Sequence, residues 1–189
     1  MDRYKKSLKI VRNRFMSTRK VICTGNPQNK NCIAYGIKQI FPNATFMHRS
    51  NGFDLPTQNL QEFINEVKKH NTFINASYIG PQVQSKLLQV ASDEMKLGQI
   101  FNIGSTHEYD GLGKSEYTQS KTHLKDLSLK INNFRIQTTH IILGGLDTGE
   151  KNTASWIKPI EIAQLIQWII DHETYCIPLI GIDQYKQPW

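Results

Sequence analysis

Lys20-Val21-Ile22-Cys23-Thr24-Gly25 is a short apolar run that stops at a glycine, which is the pattern of a buried parallel strand. Turn-rich sequence follows, Asn26-Pro27-Gln28-Asn29-Lys30-Asn31. Then Cys32, Ile33, Tyr35, Ile37, Ile40 and Phe41 suggest a helix, which Pro42 stops. The unit repeats outward from there. Ala44-Thr45-Phe46-Met47 is a second strand, followed by His48-Arg49-Ser50. Residues 57–70 look helical, with Leu60, Phe63, Ile64 and Val67 on one stripe. Thr72–Asn75 reads as a strand, 81–97 as a helix, and Ile100–Ile103 as a strand running into Gly104-Ser105. Residues 115–132 form a helix, Thr139–Leu143 a strand, 159–171 the last helix and Ile177–Ile180 the last strand. Strict alternation predicts an α/β fold, a doubly wound parallel sheet with helices on both faces. Ligands of such sheets sit beyond the C-terminal ends of the strands. Thr24-Gly25, His48-Arg49-Ser50, Asn75-Ala76, Ser105 and Gly144-Gly145 all fall there.

The chain has 189 residues, enough for one domain, expected over 20–189 behind a leader at 1–19. Arg3, Lys5, Lys6, Lys9, Arg12, Arg14, Arg19 and Lys20 face the single acid Asp2, so the net charge of +7 resides in the first 20 residues. The remainder is balanced. Such a segment reads as a solvated leader or first helix; the competing reading is an arm for anionic partners. Nucleic acid is not expected as a partner. No apolar run approaches the roughly 20 residues of a membrane span, and no apolar signal-peptide core opens the chain. Cys23, Cys32 and Cys176 form no zinc-type pair or disulfide framework, which points to a reduced, cytoplasmic setting. The six histidines show no ligand spacing, so no metal is expected.

Tyr117-Thr118-Gln119-Ser120-Lys121 carries the sharpest chemistry. Four residues apart on a helix, Tyr117 and Lys121 share a face. A free phenol titrates near pH 10, and a neighbouring ammonium lowers that by favouring the phenolate. The pair can then exchange a proton with a hydroxyl/carbonyl couple. Alone, such a spacing usually marks surface residues of a helix. Ser105 supplies context: it ends a buried strand twelve residues earlier, and its hydroxyl can meet the same substrate oxygen. The plain alternative is a turn serine.

Thr24-Gly25, Asn75-Ala76, Ile103-Gly104-Ser105 and Tyr117 through Lys121 occur in the order found in the short-chain dehydrogenase/reductase family, which the chain resembles over about residues 20–183. Leu143-Gly144-Gly145-Leu146-Asp147-Thr148 looks like that family's later P-G-x-x-x-T segment, and Pro159–Ala163 like the start of its last helix. The resemblance implies a Rossmann-type NAD(P)-binding domain and an oxidoreductase. Ser105, Tyr117 and Lys121 would be catalytic, with Tyr117 as proton donor in reduction. Lys121 would also hold the nicotinamide ribose, Thr148 would sit near the carboxamide, and Asn75 and Ala76 would line the adenosine ribose. The family's fourth catalytic group, usually an Asn on the preceding helix, has Gln84 and Lys86 as its nearest counterparts. The chain is also similar to a compact branch in which a turn like Arg49-Ser50-Asn51-Gly52 runs directly into an Asp; Asp54 would approach the adenine. Relatives pair through the helices near 81–97 and 115–132, which implies a homo-oligomer.

Where an acid would bond the ribose of NAD, this chain offers His48, Arg49 and Ser50. Arg suits a 2′-phosphate, so NADP(H) is expected in preference to NAD(H), unless Arg49 is merely a solvated turn residue. The family's glycine loop, T-G-x-x-x-G-x-G, keeps Thr24 and Gly25, but Asn29 and Asn31 replace its later glycines. Pro27 removes one more N–H donor. The stretch from Thr148 to Pro159 is short for a substrate lid, and Trp156 is its aromatic, facing substrate or simply packed. Two functions compete: an NAD(P)(H)-dependent oxidoreductase acting on a small carbonyl or alcohol, and a catalytically inactive cofactor-sensing or scaffold protein. Nucleotide-sugar modification ranks below both, since the chain is short for a sugar-binding domain.

Overall fold

A computed structural model of the chain describes residues 19–53, 60–109, 115–147, 156–172 and 176–183. Six strands, β1 (Val21–Thr24), β2 (Thr45–Met47), β3 (Thr72–Asn75), β4 (Gly98–Ile103), β5 (Ile136–Leu143) and β6 (Leu179–Ile182), form one sheet in the order β2-β1-β3-β4-β5-β6. Every pairing is parallel. Five helices alternate with them: α1 (Ile33–Ile40), α2 (Leu60–Val67), α3 (Val83–Glu94), α4 (Glu116–Ile131) and α5 (Pro159–Asp171). The doubly wound α/β reading is therefore the observed architecture. The strand order reverses between β1 and β3, which opens a crevice at their C-terminal ends.

Burial explains the near-continuous apolar strands. Successive side chains alternate between two covered faces. Val21, Cys23, Ile74, Phe101, Ile103, Ile141 and Leu143 pack with Ile33, Ala34 and Ile37 of α1 and Ile162, Ala163, Ile166, Ile169 and Ile170 of α5. Ile22, Phe73, Ile100 and Ile136 pack on the other face with Phe63 and Val67 of α2, Leu87, Leu88 and Ala91 of α3, and Leu124 of α4. α1 and α5 touch backbone to backbone, because a Cβ at Gly36 would run into the Pro159 carbonyl.

Several strand boundaries differ from the sequence expectation, beginning with β2, which starts at Thr45 rather than Ala44. β4 begins at Gly98 and β5 at Ile136, each earlier than the apolar run, because Gly98 pairs with Ile136 and extends the ladder into polar sequence. β6 covers Leu179–Ile182 rather than 177–180, since its register is set by His140 opposite Leu179.

One face changes character towards the C-terminal edge. The row Phe73, Ile100, Thr138 gives way two residues later to the row Asn75, Asn102, His140, all with buried side chains. The opposite face stays apolar to Ile103 and Ile141. Buried polar groups must find partners, and the partners chosen here build the site.

Candidate active site at the sheet edge

Gly25 leaves β1 at φ +127, a backbone conformation open to glycine, and donates its N–H to the Met47 carbonyl (3.0 Å). A Cβ there would lie 2.8 Å from Ser77 Oγ and 3.0 Å from Ala34 Cβ. Thr24 locks the same corner: its buried hydroxyl accepts from the Ala76 N–H (3.0 Å) and the Ser77 N–H (3.1 Å). The result is a cleft of about 470 Å³ lined by Gly25, Asn26, Met47, His48, Arg49, Ser50, Phe53, Ser77, Tyr78 and Ile79. This is the size of a small-molecule site.

The loop from Asn26 to Cys32 closes on itself. Asn26 Oδ1 accepts from Gln28 N (2.9 Å), and Asn29 Oδ1 accepts from Asn31 N (3.1 Å). The Asn26 carbonyl accepts from Asn29 N (3.2 Å), and the Asn29 carbonyl from Cys32 N (3.1 Å). Asn29 and Asn31 are exposed, and neither has a positive φ. The asparagines thus act as side-chain turn makers, not as left-handed substitutes for glycine.

Across the cleft, Arg49–Asn51 forms a 3-10 turn closed by Asn51, whose Oδ1 accepts from His48 N (3.1 Å) while its amide donates to the Phe46 carbonyl (2.7 Å). His48 Nδ1 lies 2.6 Å from Ser50 Oγ, and partial burial holds the imidazole below its ordinary range. Arg49 and Ser50 are exposed at the lip. Asp54 and Thr148 lie outside the described residues.

Lys121 is the centre of the other half. It is 3% exposed, and its Nζ donates to Gln84 Oε1 and to the Ile103 carbonyl, each at 2.7 Å. The ammonium lies 5.6 Å from the Tyr117 ring centroid and 5.7 Å from that of Tyr78. The two tyrosine rings meet edge to face at 4.8 Å, and His107 approaches Tyr117 at 6.0 Å. Burial lowers the Lys121 pKa from 10.5 to about 8, with Glu108 opposing the drop.

Ser105 sits beside this cluster. Its hydroxyl accepts from the His107 N–H (3.3 Å), and its own N–H donates to Glu108 Oε1 (2.8 Å), which makes a capping box for the 3-10 turn Thr106–Glu108. His140 Nε2 lies 3.0 Å from both Glu108 oxygens, with both side chains fully buried. The structure places Lys121 beside Tyr117, and Ser105 is linked to that cluster through His107 and Glu108. The two candidates on α3 also separate: Gln84 is buried against Lys121, whereas Lys86 is exposed.

Asn75 faces away from the cleft. Its amide donates to the Gln84 carbonyl (2.9 Å) and to Asn102 Oδ1 (3.0 Å), and Asn102 in turn donates to Ser128 Oγ (3.1 Å). Ala76 contributes the N–H that Thr24 holds. Trp156 packs its ring over Gly145, where a Cβ would collide with it.

Tyr78, His107, Glu108 and His140 escaped the sequence reading. Ser105-Thr106-His107-Glu108 does carry a capping-box spacing, so Glu108 was within reach of the sequence. A lone His inside the run Thr139–Leu143 and a tyrosine three residues beyond Asn75 give no comparable signal.

No protein-family model and no curated protein matches the chain. Solved structures do. The chain is similar to a 3-alpha-hydroxysteroid dehydrogenase from Pseudomonas sp. B-0831 complexed with NADH, at 12% identity and TM-score 0.63, covering 86% of this chain and 94% of that one. A short-chain dehydrogenase from Sphingobium yanoikuyae in complex with NADPH matches at 12% identity and TM-score 0.62, covering 88% and 87%. A beta-ketoacyl-[ACP] reductase from Bacteroides thetaiotaomicron matches at 17% identity and TM-score 0.61, covering 88% and 97%. The chain has the fold of the short-chain dehydrogenases and reductases. Among the described residues, no helix is long and apolar enough to cross a membrane.

Proposed function

We propose that the protein is an NAD(P)(H)-dependent oxidoreductase of the short-chain dehydrogenase/reductase type, acting on a small carbonyl or alcohol with Tyr117 as proton donor and acceptor. The observation that carries this reading is Lys121, buried at the sheet edge between Gln84, the Ile103 carbonyl and the Tyr117 ring. Burying an ammonium is costly, and packing alone does not require one. An ammonium near the phenol favours the phenolate and so eases proton transfer at neutral pH. Two of the three Lys121 donors are engaged, which leaves one for a ribose hydroxyl. The Ser105 hydroxyl accepts a bond and keeps its own hydrogen to orient a substrate oxygen.

A dinucleotide suits the residues present. Gly25 lines the cleft, and Tyr78 lines it too while touching Tyr117, so one ligand can span both halves. Gly25, His48, Arg49 and Ser50 would hold its adenosine end, with Arg49 favouring a 2′-phosphate and hence NADP(H). When bound, the nicotinamide supplies the hydride chemistry. The two relatives complexed with NADH and with NADPH are consistent with either form. Association into a homo-oligomer through the outer faces of α3 and α4 belongs to the same reading.

One observation favours the second reading, a catalytically inactive cofactor sensor or scaffold. In the loop from Asn26 to Cys32 the N–H groups of Gln28, Asn29, Asn31 and Cys32 are all engaged within the loop. They are not presented to a pyrophosphate. Titration with NADPH and NADH, followed by nicotinamide fluorescence, and a turnover assay with carbonyl substrates together separate the two. Saturable NADPH binding that Arg49→Ala weakens by roughly tenfold or more, with NADH little changed, supports the nucleotide site; turnover that Tyr117→Phe abolishes then supports the oxidoreductase, and binding without turnover supports the sensor. No binding of either nucleotide hands the lead to the scaffold.

A further inference from the structure

Glu108 and His140 stand outside the chemistry just described, yet they lie directly behind it. Both side chains are fully shielded from solvent, although each is a group that normally seeks water. Glu108 comes from the 3-10 turn after β4, His140 from the middle of β5. Gly104 makes the room: a Cβ at that position would run into Glu108 Oε1 and His140 Nε2 together. A carboxylate can only accept, so the contacts of His140 Nε2 to both oxygens place the imidazole hydrogen on Nε2. His140 Nδ1 is buried with no partner among the described residues. The other bond to Glu108 comes from the Ser105 N–H.

We propose that Glu108, oriented by His140, is a positioning residue for the Tyr117–Lys121 pair: it pins the Ser105 backbone and supplies the buried negative charge that keeps Lys121 an ammonium. The need for such a charge follows from the surroundings of Lys121. α3 offers the neutral Gln84, β4 a neutral carbonyl, and the loop after β3 and α4 itself offer the phenols Tyr78 and Tyr117. β5 and the 3-10 turn bring His140 and His107, neither an anion. Among the described residues, Glu108 is the carboxylate that reaches this pocket: its Oε1 accepts from the Ser105 N–H, two residues beyond the Ile103 carbonyl to which Lys121 donates, and its attraction for Lys121 opposes the desolvation. Without it, burial acts on the ammonium unopposed. Lys121 would then lose its proton at a lower pH, and with it the field that favours the Tyr117 phenolate. The catalytic consequence rests on the oxidoreductase reading above; the electrostatic arrangement can be measured without it.

The measurement is an NMR titration of protein labelled at lysine Cε, with the Lys121 resonance assigned by its loss in Lys121→Met, in wild type, Glu108→Gln and Glu108→Asp. Glu108→Gln keeps an acceptor for the Ser105 N–H and removes the charge. It is expected to lower the proton affinity of Lys121 by roughly tenfold or more. Glu108→Asp keeps the charge but withdraws it by one methylene, and is expected to fall between Gln and wild type; it also serves if the Gln variant does not fold. A Lys121 midpoint that folded Glu108→Gln leaves at the wild-type value, or that Glu108→Asp leaves there if the Gln variant does not fold, overturns the proposal. These outcomes are separate from those of nucleotide binding. If NADPH fails to bind but Glu108→Gln moves Lys121, the oxidoreductase reading falls and the electrostatic role stands. If NADPH binds and Lys121 is unmoved, only the role of Glu108 falls.

Discussion

The two halves of the site are held together in opposite ways. In the Asn26–Cys32 loop the hydrogen bonds of the asparagines join residues two to six apart, Asn26 to Gln28, Asn29 and Cys32, and Asn29 to Asn31 and Cys32. Around Lys121 the bonds run from α4 to α3 and β4, over 37 and 18 residues of chain, and from β5 to the 3-10 turn over 32. From Asn26 onward the first half is held by local bonds, while its anchor at Gly25 reaches Met47 across the sheet. The second is buried and exists only once β3, β4, β5, α3 and α4 have assembled. A local half tolerates substitution at small cost; a tertiary half concentrates the energetic penalty and, on the proposed function, the chemistry.

The largest effect expected from breaking this asymmetry is chemical. Tyr117→Phe removes the proton donor while keeping the ring that packs on Tyr78, so turnover with an accepted carbonyl substrate should fall by roughly 10²–10⁴-fold with NADPH affinity nearly unchanged. Unaltered turnover would move the proton transfer to another group.

Next comes the energetic cost of the buried ammonium. The unfolded chain holds the Lys121 proton to its ordinary pKa of 10.5, whereas the folded chain releases it at about 8. Between those values the unfolded state binds more protons, so the stability contribution from Lys121 rises with pH across that window. Wild type should gain as much as roughly 3 kcal/mol from this group on passing from below pH 8 to above pH 10.5. Lys121→Met should lack that rise, since it carries no titrating amine. Denaturant unfolding at a series of pH values compares the two, and parallel curves would place Lys121 in a far more hydrated setting. Activity should move the other way, declining above about pH 8 as the ammonium is lost.

A smaller effect belongs to the corner that joins the halves. Gly25→Ala places a Cβ against Ser77 Oγ and Ala34 Cβ at a φ of +127. The expected cost is about 1–3 kcal/mol, seen as a lowered melting temperature, together with weaker NADPH binding. A neutral outcome would show that the turn can relax and that the two halves are less tightly joined at that point.

The smallest effect is expected in the local loop, and its sign is informative. Asn29→Gly frees the Asn31 N–H and should alter stability by less than about 1 kcal/mol. If the closed loop is what limits phosphate binding, NADPH affinity should rise a few-fold. If affinity falls, the side-chain turn is itself the phosphate cradle.

Legibility in the sequence follows the same division. The order of strands and helices could be read because each element carries its own period: Leu60, Phe63, Ile64 and Val67 mark a helix stripe, and Val21–Thr24 a strand buried on both faces. Tyr117 and Lys121 were legible as a pair because helical geometry places residues four apart on one side. Asn29 and Asn31 were legible as a departure, but not as turn makers, since an Asn allows either a left-handed residue or a side-chain turn. Gln84 and Lys86 could not be told apart, because choosing between them needs the rotation of α3 against α4.

The sequence by itself determined the alternation, the parallel sheet and the pairing of Tyr117 with Lys121 on one helix face, because these depend on periodicities of two and 3.6 residues within single elements. Tertiary structure alone decided that Asn75 turns from the cleft towards Asn102, that Tyr78 lies against Tyr117, and that Glu108 meets His140 behind Lys121. Each of those is a contact between residues far apart in the chain, set by strand register and helix packing. No local rule specifies the partner of a buried polar group; it is whichever group the fold brings within hydrogen-bonding distance.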